Sequence, residues 1–416
     1  MEKERHIAVI DLKSFYATVE CVERGLDPFS TALAVCDEER GQGTIVLAVS
    51  PYLRSQGVPS RCRRYELPHF PNMILARPQM ELYVKKSAEI VSIFLDFVGE
   101  DDLHVYSIDE SFLDLTPYMK LYDKTDVEIV KDIMERIHDE LGLYCTAGIG
   151  PNLFLAKAAF DIESKKAKDG IAKWDYDNFK EKLWPVTPLT KMWGISHNLE
   201  RRFHDLGIRK IGDIAMFPKE IIIKKFGVIG EQIWNHANGI DDSHIREKYI
   251  PENKSLSIGQ VLFRDYKYEE AKLIVREMVD DLCTRMRTFK LKTKSVGIAV
   301  GYSKPDVGGF AKQIRLNAAT DDNDEIYNAI MIFYNSVHCQ SYIRQIHIFF
   351  GEFTDQEYEQ LNLFMDINEQ EDKKNLYETL DEIKAKYGDN AILRGTAKLD
   401  HSTAEERHNQ IGGHRK

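Results

Sequence analysis

Three carboxylates follow or separate predicted strands, and their type and spacing suit a divalent-metal site. Asp11 follows a short β-branched run, His6–Ile10, and precedes a segment with a helical pattern. Asp109 and Glu110 lie between the runs LHVYS and FLDL, which predict a tight hairpin. Because paired strands lie about 4.8 Å apart, carboxylates on them can share hard cations such as Mg²⁺. Two such ions serve phosphoryl or nucleotidyl transfer.

Each position also has an ordinary structural interpretation. An Asp after a strand can cap a helix, and an Asp-Glu pair is common in turns. The surrounding elements favour the metal hypothesis. Helices predicted near 79–99, 126–141 and 152–168, with a strand near 144–149, complete a β-α-β-β-α-β order. This ferredoxin-like order brings the first strand beside the hairpin, so the three carboxylates should meet.

Composition limits the class of protein. A chain of 416 residues with 43% hydrophobic residues can form more than one core. No apolar stretch approaches the roughly 20 residues of a membrane span, so we expect a cytoplasmic protein without membrane partners. Six scattered cysteines predict neither a zinc site nor disulfides.

The net charge of −11 argues against a nucleic-acid partner, but its distribution weakens that objection. More than half of the excess negative charge lies after Gly351. The preceding part contains basic stretches at Arg201–Lys210 and Arg285–Lys294. These stretches could face a phosphate backbone or form ordinary solvated surfaces.

Two motifs carry a family resemblance. AVIDLKSFYATVE resembles the first motif of the Y-family DNA polymerases, and VYSIDESFLDL resembles their catalytic hairpin. The chain is similar to the UmuC-like branch, including ImpB/MucB/SamB-type bacterial proteins, over nearly its whole length. The resemblance implies a low-fidelity, template-directed DNA polymerase that bypasses damaged template bases. It also implies an α+β multidomain, right-hand fold with a ferredoxin-like palm.

The family's domain order predicts the following division of the chain. The domains are a palm (1–27 and 72–175), small fingers (28–71), a helix-hairpin-helix thumb (176–248), an α+β little finger (249–351) and an acidic flexible tail (352–416). The remaining length leaves no room for a separate exonuclease domain, so we expect no proofreading.

By the same resemblance, Asp11, Asp109 and Glu110 are the catalytic metal ligands, and the carbonyl of Leu12 completes one coordination sphere. The cofactors are two Mg²⁺ ions, for which Mn²⁺ can substitute. Tyr16 matches the steric gate, an aromatic ring that leaves no room for a ribonucleotide 2′-hydroxyl. Phe15 could stack on the same nucleotide. An aromatic core residue at a helix start is the alternative for both rings.

The deoxynucleoside triphosphate contacts follow from the resemblance as well. Arg54 matches the family's fingers arginine, and Tyr52 lies one place from its tyrosine. The family's lysine precedes a Pro-Asn-Gly type of turn that this chain lacks. Lys168 is the first candidate and Lys165 the reserve, and a solvated helix end is the alternative for both.

Primer-template DNA would be held through its backbone. In the thumb, Gly194 and Ser196 belong to a hairpin whose N–H groups could hold a phosphate. In the little finger, Lys292 and Lys294 approach a strand that the family uses for further backbone contacts. Neither contact reads base sequence.

The tail contains a pentapeptide that resembles the bacterial sliding-clamp-binding motif. Its residues Gln360, Leu361, Leu363 and Phe364 would place apolar side chains in a groove of the clamp, with the glutamine making polar contacts. The alternative is that these apolar residues pack back on the protein. An accessory protein is a further possible partner.

Two rival functions remain. A nucleotidyl cyclase uses a related palm, but its Gly-Gly-Asp/Glu-Glu-Phe turn differs from Ser107–Ser111 here. A non-catalytic DNA-binding module would keep the basic surfaces but would not need all three carboxylates.

Overall fold

The computed structural model describes residues 5–248, 250–355 and 367–416, and it divides into two units, residues 1–249 and 250–416. The strands of the first unit are β1 (Ile7–Leu12), β2 (Leu33–Val35), β3 (Ile45–Val46), β4 (Ala48–Val49), β5 (Cys62–Arg63), β6 (Ile74–Ala76), β7 (Leu103–Val105), β8 (Glu110–Asp114), β9 (Cys145–Gly150) and β10 (Ile171–Lys173). Its helices are α1 (Phe15–Glu23), α2 (Pro51–Ser55), α3 (Met80–Phe97), α4 (Tyr118–Tyr122), α5 (Asp126–Leu141), α6 (Leu153–Ile162), α7 (Phe179–Leu183), α8 (His197–His204), α9 (Ile211–Met216) and α10 (Lys219–Ala237).

The largest sheet of this unit has β1 at its centre. The strand order is β10-β9-β1-β8-β7, and β1 runs antiparallel to both β8 and β9. Residues 7–10 are fully buried, as expected for a central strand covered on both faces. The predicted ferredoxin-like palm is confirmed. The parallel edge strand β10 was not predicted from the sequence.

Helix α5 has the predicted bounds because its sequence carries both end signals. Thr125 and Glu128 form a capping box, with Thr125 N–H donating to Glu128 Oε2 at 2.8 Å. Gly142 ends the helix in the left-handed conformation with φ of 67°. Ile129, Ile133 and Ile137 form its buried stripe.

Helix α6 is shorter than predicted, ending at Ile162 instead of continuing to Lys168. Ser164 Oγ donates to the carbonyl oxygen of Phe160 at 2.7 Å, and the chain continues in a 3₁₀ turn. The helix packs directly on β9 because two glycines leave room for it. A Cβ at Gly148 would lie 2.3 Å from the carbonyl oxygen of Ala156. This close approach places one face of α6 against the centre of the palm.

The predicted fingers segment forms two small sheets, β4-β2-β6 and β3-β5. Within the first of these sheets, β2 pairs antiparallel with β4. The lobe has a small core of its own, formed by Ala34, Cys36, Val46, Val49, Leu53 and Val58.

The predicted thumb segment contains α7 to α10. Gly194 has φ of 91° immediately before α8, and Gly227 interrupts α10 with φ of 66°. Trp174 is fully buried in its core, against which Trp184, Trp193 and Trp234 are packed. Helix, glycine turn and helix therefore occur as the sequence predicted. No helix in the described part of the chain is both long and apolar enough for a membrane span.

The second unit is a helix-covered antiparallel sheet. Its strands are β11 (Leu256–Tyr266), β12 (Leu291–Tyr302), β13 (Gly309–Thr320), β14 (Ile343–Asp355), β15 (Gln410–Ile411) and β16 (His414–Arg415). Its helices are α11 (Tyr268–Thr288), α12 (Asn323–Ser336), α13 (Ile367–Tyr387) and α14 (Ala404–His408). The main sheet has the order β11-β14-β12-β13, and the apolar faces of α11 and α12 pack on it.

The prediction of a flexible tail from residue 352 is wrong for the described part of that segment. Strand β14 extends to Asp355, and residues after α13 pack on α11. The Arg407 side chain is 8% exposed, and its Nη2 lies 2.8 Å from Asp281 Oδ2. Arg394 Nε lies 2.6 Å from Asp280 Oδ2. The acidic face of α11 therefore neutralises basic residues that composition alone assigned to a solvated tail.

The clamp-binding-like residues Gln360, Leu361, Leu363 and Phe364 lie outside the described residues. The binding of a sliding clamp by these residues stays a prediction.

Candidate active site

The register of the central strands brings the predicted catalytic carboxylates together. Asp11 on β1 is the direct cross-strand partner of Glu110 on β8. The Leu12 N–H donates to the carbonyl oxygen of Asp109 at 3.0 Å, which fixes the hairpin against the end of β1. The three side chains therefore share one end of two adjacent strands, as the strand order predicted.

This placement has a large electrostatic consequence for Asp11. Burial, followed by the negative charges of Asp109 and Glu110, raises the pKa of Asp11 to about 8. Lys165 and Lys157 oppose this rise. The cluster concentrates negative charge that is only partly neutralised by the protein.

Lys157 was missed in the sequence, and it is the closest cation to the cluster in the described residues. It projects from α6, is 7% exposed, and contacts Asp161 Oδ1 at 3.2 Å. Its Nζ lies 2.8 Å from Glu110 Oε1 and donates to Oε2 at 2.9 Å. Although burial alone would lower the pKa of Lys157, Asp161 and Glu110 raise it, so the ammonium stays charged.

Carboxylate oxygens are suitable ligands for a hard cation, but the three side chains do not converge on one point in this structure. Glu110 Oε1 is buried and is held by its ion pair with Lys157 Nζ at 2.8 Å, so it can act as a ligand atom once that pair is released. Among the described residues, no three acidic, His or Cys side chains are close enough together to hold a metal ion. The engagement of Glu110 by Lys157 accounts for this arrangement. Glu110 would have to release Lys157 to join Asp11 and Asp109.

The predicted gate residue lies beside this cluster. Tyr16 is half-buried in the first turn of α1, and burial followed by the charge of Asp109 raises its pKa. Its ring stacks on Tyr83 with centroids 4.5 Å apart and planes at 24°. Phe15 is only 3% exposed, so little of its ring is available to a nucleotide.

The predicted triphosphate contacts come from two parts of the unit. Arg54 is exposed on α2, whereas Tyr52 on the same helix packs edge-on to Phe70 in the lobe's core. Of the two lysines, Lys165 acts on Asp11 by its charge, while Lys168 is exposed on the following turn. Of the two candidates, Lys165 is therefore the one whose charge acts on the carboxylate cluster.

Arg61 is a second functional candidate that the sequence reasoning missed. It is exposed in the fingers segment, and its charge lowers the pKa of Tyr16, which places it on the gate side of the cluster. Its position in the predicted fingers segment was the available signal, but several arginines in this segment share it.

The thumb hairpin lines a cavity together with the lysine that pairs with Glu110. A cavity of about 470 Å³ is lined by Met192–Ile195 together with Lys157 and Asp161. A Cβ placed on Gly194 would meet no atom within 4 Å, so the backbone is accessible at this residue. Ser196 caps α8 by accepting from the Leu199 N–H at 3.3 Å. A backbone phosphate is a suitable ligand for this hairpin.

Aromatic contacts join that hairpin to the catalytic hairpin. The Trp193 Nε1–H donates to the Tyr106 hydroxyl at 3.3 Å, and the two rings meet edge to face. Trp193 also lies 6.1 Å from Phe112 on β8, measured between ring centroids. The thumb hairpin and the catalytic hairpin therefore share one packed aromatic cluster.

The predicted little-finger contacts lie on β12 of the second unit. Lys292 is 9% exposed and already interacts with another group of the protein. Lys294 is half-buried. Lys294 thus presents more of its side chain to solvent than Lys292.

Comparison with known proteins gives a consistent set of relatives. The model of the impB/mucB/samB family matches residues 10–161. The C-terminal domain of that family matches residues 253–363, and its HHH motif matches residues 176–208.

Individual relatives span nearly the whole chain. UvrX of Bacillus subtilis (strain 168), whose name refers to UV-damage repair, is 38% identical over 99% of this chain and 98% of its own length. A protein named DNA polymerase IV 2 from the same strain is 33% identical over the full length of both chains. A solved Y-family DNA polymerase chimera matches the fold with a TM-score of 0.67 at 17% identity, covering 84% of this chain and 99% of its own.

Proposed function

Because the chain belongs to the impB/mucB/samB family of UmuC-like, Y-family DNA polymerases, we propose that it copies damaged templates with low fidelity by two-metal-ion nucleotidyl transfer. Relatives named DNA polymerase IV support a DNA-directed DNA polymerase with primer-template DNA and deoxynucleoside triphosphates as substrates. The observation that carries the mechanism is the placement of Asp11, Asp109 and Glu110 at the same end of β1 and β8.

In this proposal, Asp11, Asp109 and Glu110 hold two Mg²⁺ ions together with the carbonyl of Leu12, and Mn²⁺ can substitute. When bound, the ions lower the pKa of the primer 3′-hydroxyl and neutralise the departing pyrophosphate. The raised pKa of Asp11 and the shared placement of the three carboxylates support this assignment. The raised pKa of Asp11 reflects burial first and then the negative charges of Asp109 and Glu110, which a bound cation would offset.

Substrate selection uses the residues around the cluster. Tyr16 excludes ribonucleotides by overlap with the 2′-hydroxyl, and its position next to Asp109 supports this role. Arg54 and Lys165 neutralise triphosphate charge from the two sides of the site. Lys165 is preferred to Lys168 because its charge reaches Asp11.

The duplex is held without base readout. The N–H groups around Gly194 bind a backbone phosphate, and Ser196 orders the start of α8 behind them. Lys294 adds a contact from the second unit. We further propose that residues 360–364 bind a sliding clamp and that the chain has no proofreading exonuclease.

The test is Mg²⁺-dependent extension of a primer on undamaged and abasic templates. Asp109→Ala should abolish extension on both, since a metal ligand is lost, while DNA binding measured by fluorescence anisotropy stays close to that of the wild type. Asp114→Ala is the matched control, because Asp114 also lies on β8 but at the far end of its pairing with β1. Undiminished turnover in the Asp109→Ala variant would remove Asp109 from the metal site.

A further inference from the structure

We propose that the buried pair Tyr83–Glu20 positions the ring of Tyr16 and thereby sets how strictly the site excludes ribonucleotides. This inference rests on the proposed gate role of Tyr16 and adds two specificity-determining residues that do not touch the nucleotide. Neither residue has a role in the metal site.

The first step is the contact between the rings. Tyr83 stacks almost face to face on Tyr16 and is itself fully buried. The Phe15 ring is farther away, 5.7 Å from Tyr16 between centroids, and tilted by 44°. The ring of Tyr83 therefore sets the plane and depth of the Tyr16 ring on the protein side.

The second step is the anchor of Tyr83. Its hydroxyl donates to Glu20 Oε1 at 2.5 Å. Burial, reinforced by the Glu20 carboxylate, raises the pKa of Tyr83, so the hydroxyl keeps the proton that it donates. A hydrogen bond at the far end of the ring fixes how deeply Tyr83 lies between α1 and α3.

The third step concerns Glu20, whose carboxylate accepts this hydrogen bond. Glu20 is fully buried on α1, one turn after Tyr16. Gln79 Nε2 donates to its two oxygens at 3.0 and 3.3 Å, and Arg24 pairs with it from the next turn. A charge in this position needs several partners to be retained, since an unpaired buried carboxylate is strongly unfavourable.

These contacts form one connected chain from the helix interface to the gate. Glu20 and Tyr16 share α1, while Gln79 and Tyr83 belong to the start of α3. An apolar pair would fill the same space but would leave the Tyr83 ring free to slide along its own axis. Steric exclusion of one hydroxyl requires the gate ring to be held within about 0.5 Å.

The experiment compares kcat/KM for a deoxynucleotide and the matching ribonucleotide in the full-length protein. Tyr83→Phe keeps the ring and removes only the hydroxyl, so the variant should fold. We expect it to lower the discrimination ratio by roughly tenfold, because displacements near 1 Å at a reactive site have effects of that order or larger. Glu20→Gln keeps a carbonyl acceptor for the hydroxyl and should retain most of the wild-type ratio.

Two further variants distinguish a failure of the positioning role of Tyr83 from a failure of the gate assignment of Tyr16. Tyr118→Phe is the matched control, since it removes another tyrosine hydroxyl that donates to a buried carboxylate, Asp102 Oδ2 at 2.9 Å. It should leave the ratio unchanged. Tyr16→Ala should abolish most discrimination, and if it does not, the gate assignment itself fails.

If Tyr16→Ala relaxes discrimination but Tyr83→Phe keeps the wild-type ratio, the positioning role of Tyr83 is overturned while the gate stands. An equal loss in the Tyr83→Phe and Tyr118→Phe variants would also overturn it, because the effect would then be a general loosening of the palm.

Discussion

Mg²⁺ binding should release a proton from Asp11 near neutral pH. In the metal-free protein, the pKa of Asp11 is raised to about 8 by burial and by Asp109 and Glu110. A carboxylate must be ionised to serve as a ligand, so binding and deprotonation are coupled. The perturbation is a change of pH between 6 and 9, with and without Mg²⁺.

The magnitude follows from the pKa. Roughly 1 in 10 molecules carries an ionised Asp11 at pH 7, and about 1 in 100 at pH 6. The apparent affinity for Mg²⁺ should therefore fall about tenfold for each pH unit below 8, equivalent to about 1.4 kcal/mol.

The same shift makes the stability of the metal-free fold depend on pH. The pKa of Asp11 is higher in the folded chain than the ordinary value near 3.9, so the folded state binds the extra proton. The resulting stabilisation is fully present below about pH 4 and is lost as pH rises through about 8. In this window, each increase of one pH unit should lower the free energy of unfolding of the first structural unit by about 1.4 kcal/mol. Its Tm should fall by roughly 3–6 °C.

Differential scanning calorimetry measures both effects. From pH 6 to pH 8, the Tm of the wild type should fall relative to the Tm of the Asp11→Asn variant. Added Mg²⁺ should stabilise the wild type more at pH 8.5 than at pH 6. A Tm difference that stays constant with pH would refute the raised pKa of Asp11.

Two further predictions concern α6. Lys157→Met leaves Glu110 buried without its cation and should lower the free energy of unfolding, measured in urea, by about 3 kcal/mol. Lys166→Met changes an exposed lysine and should have little effect in the same measurement. A midpoint equal to that of the wild type would contradict the importance of this pair. Gly148→Ala should push α6 away from β9 and reduce both stability and primer extension, while Gly43→Ala has open space and should be neutral. Full activity of the Gly148→Ala variant would show that α6 can move without disturbing the site.

Much of the palm was predictable because its signals are local. The bounds of α5 follow from the capping box at Thr125 and the glycine at 142. The meeting of the carboxylates followed from strand order alone, since β1 must lie beside the hairpin in a split βαβ arrangement. These features need no knowledge of distant contacts.

The partners of the carboxylates were not predictable in this way. A lysine on a helix is ordinarily solvated, and Lys157 meets Glu110 only because glycines on β9 let α6 approach the sheet. Glu20 likewise has the pattern of an ordinary helix surface residue until α3 brings Tyr83 to it. Both contacts depend on packing between elements far apart in the sequence.

For the described part of the acidic C-terminal segment, the prediction was wrong for a related reason. Its composition predicts a solvated tail, but the charges that matter belong to α11. Arg407 and Arg394 meet Asp281 and Asp280 there, more than 100 residues away along the chain. Average charge cannot reveal such a pairing.

The tryptophans also allow the two units to be observed separately. All four, Trp174, Trp184, Trp193 and Trp234, belong to the first unit, so selectively excited indole fluorescence follows its unfolding alone. Far-UV circular dichroism follows the helices of both units. If the two units melt independently, the circular dichroism change that is not accompanied by a fluorescence change reports the unfolding of the second unit without cutting the chain.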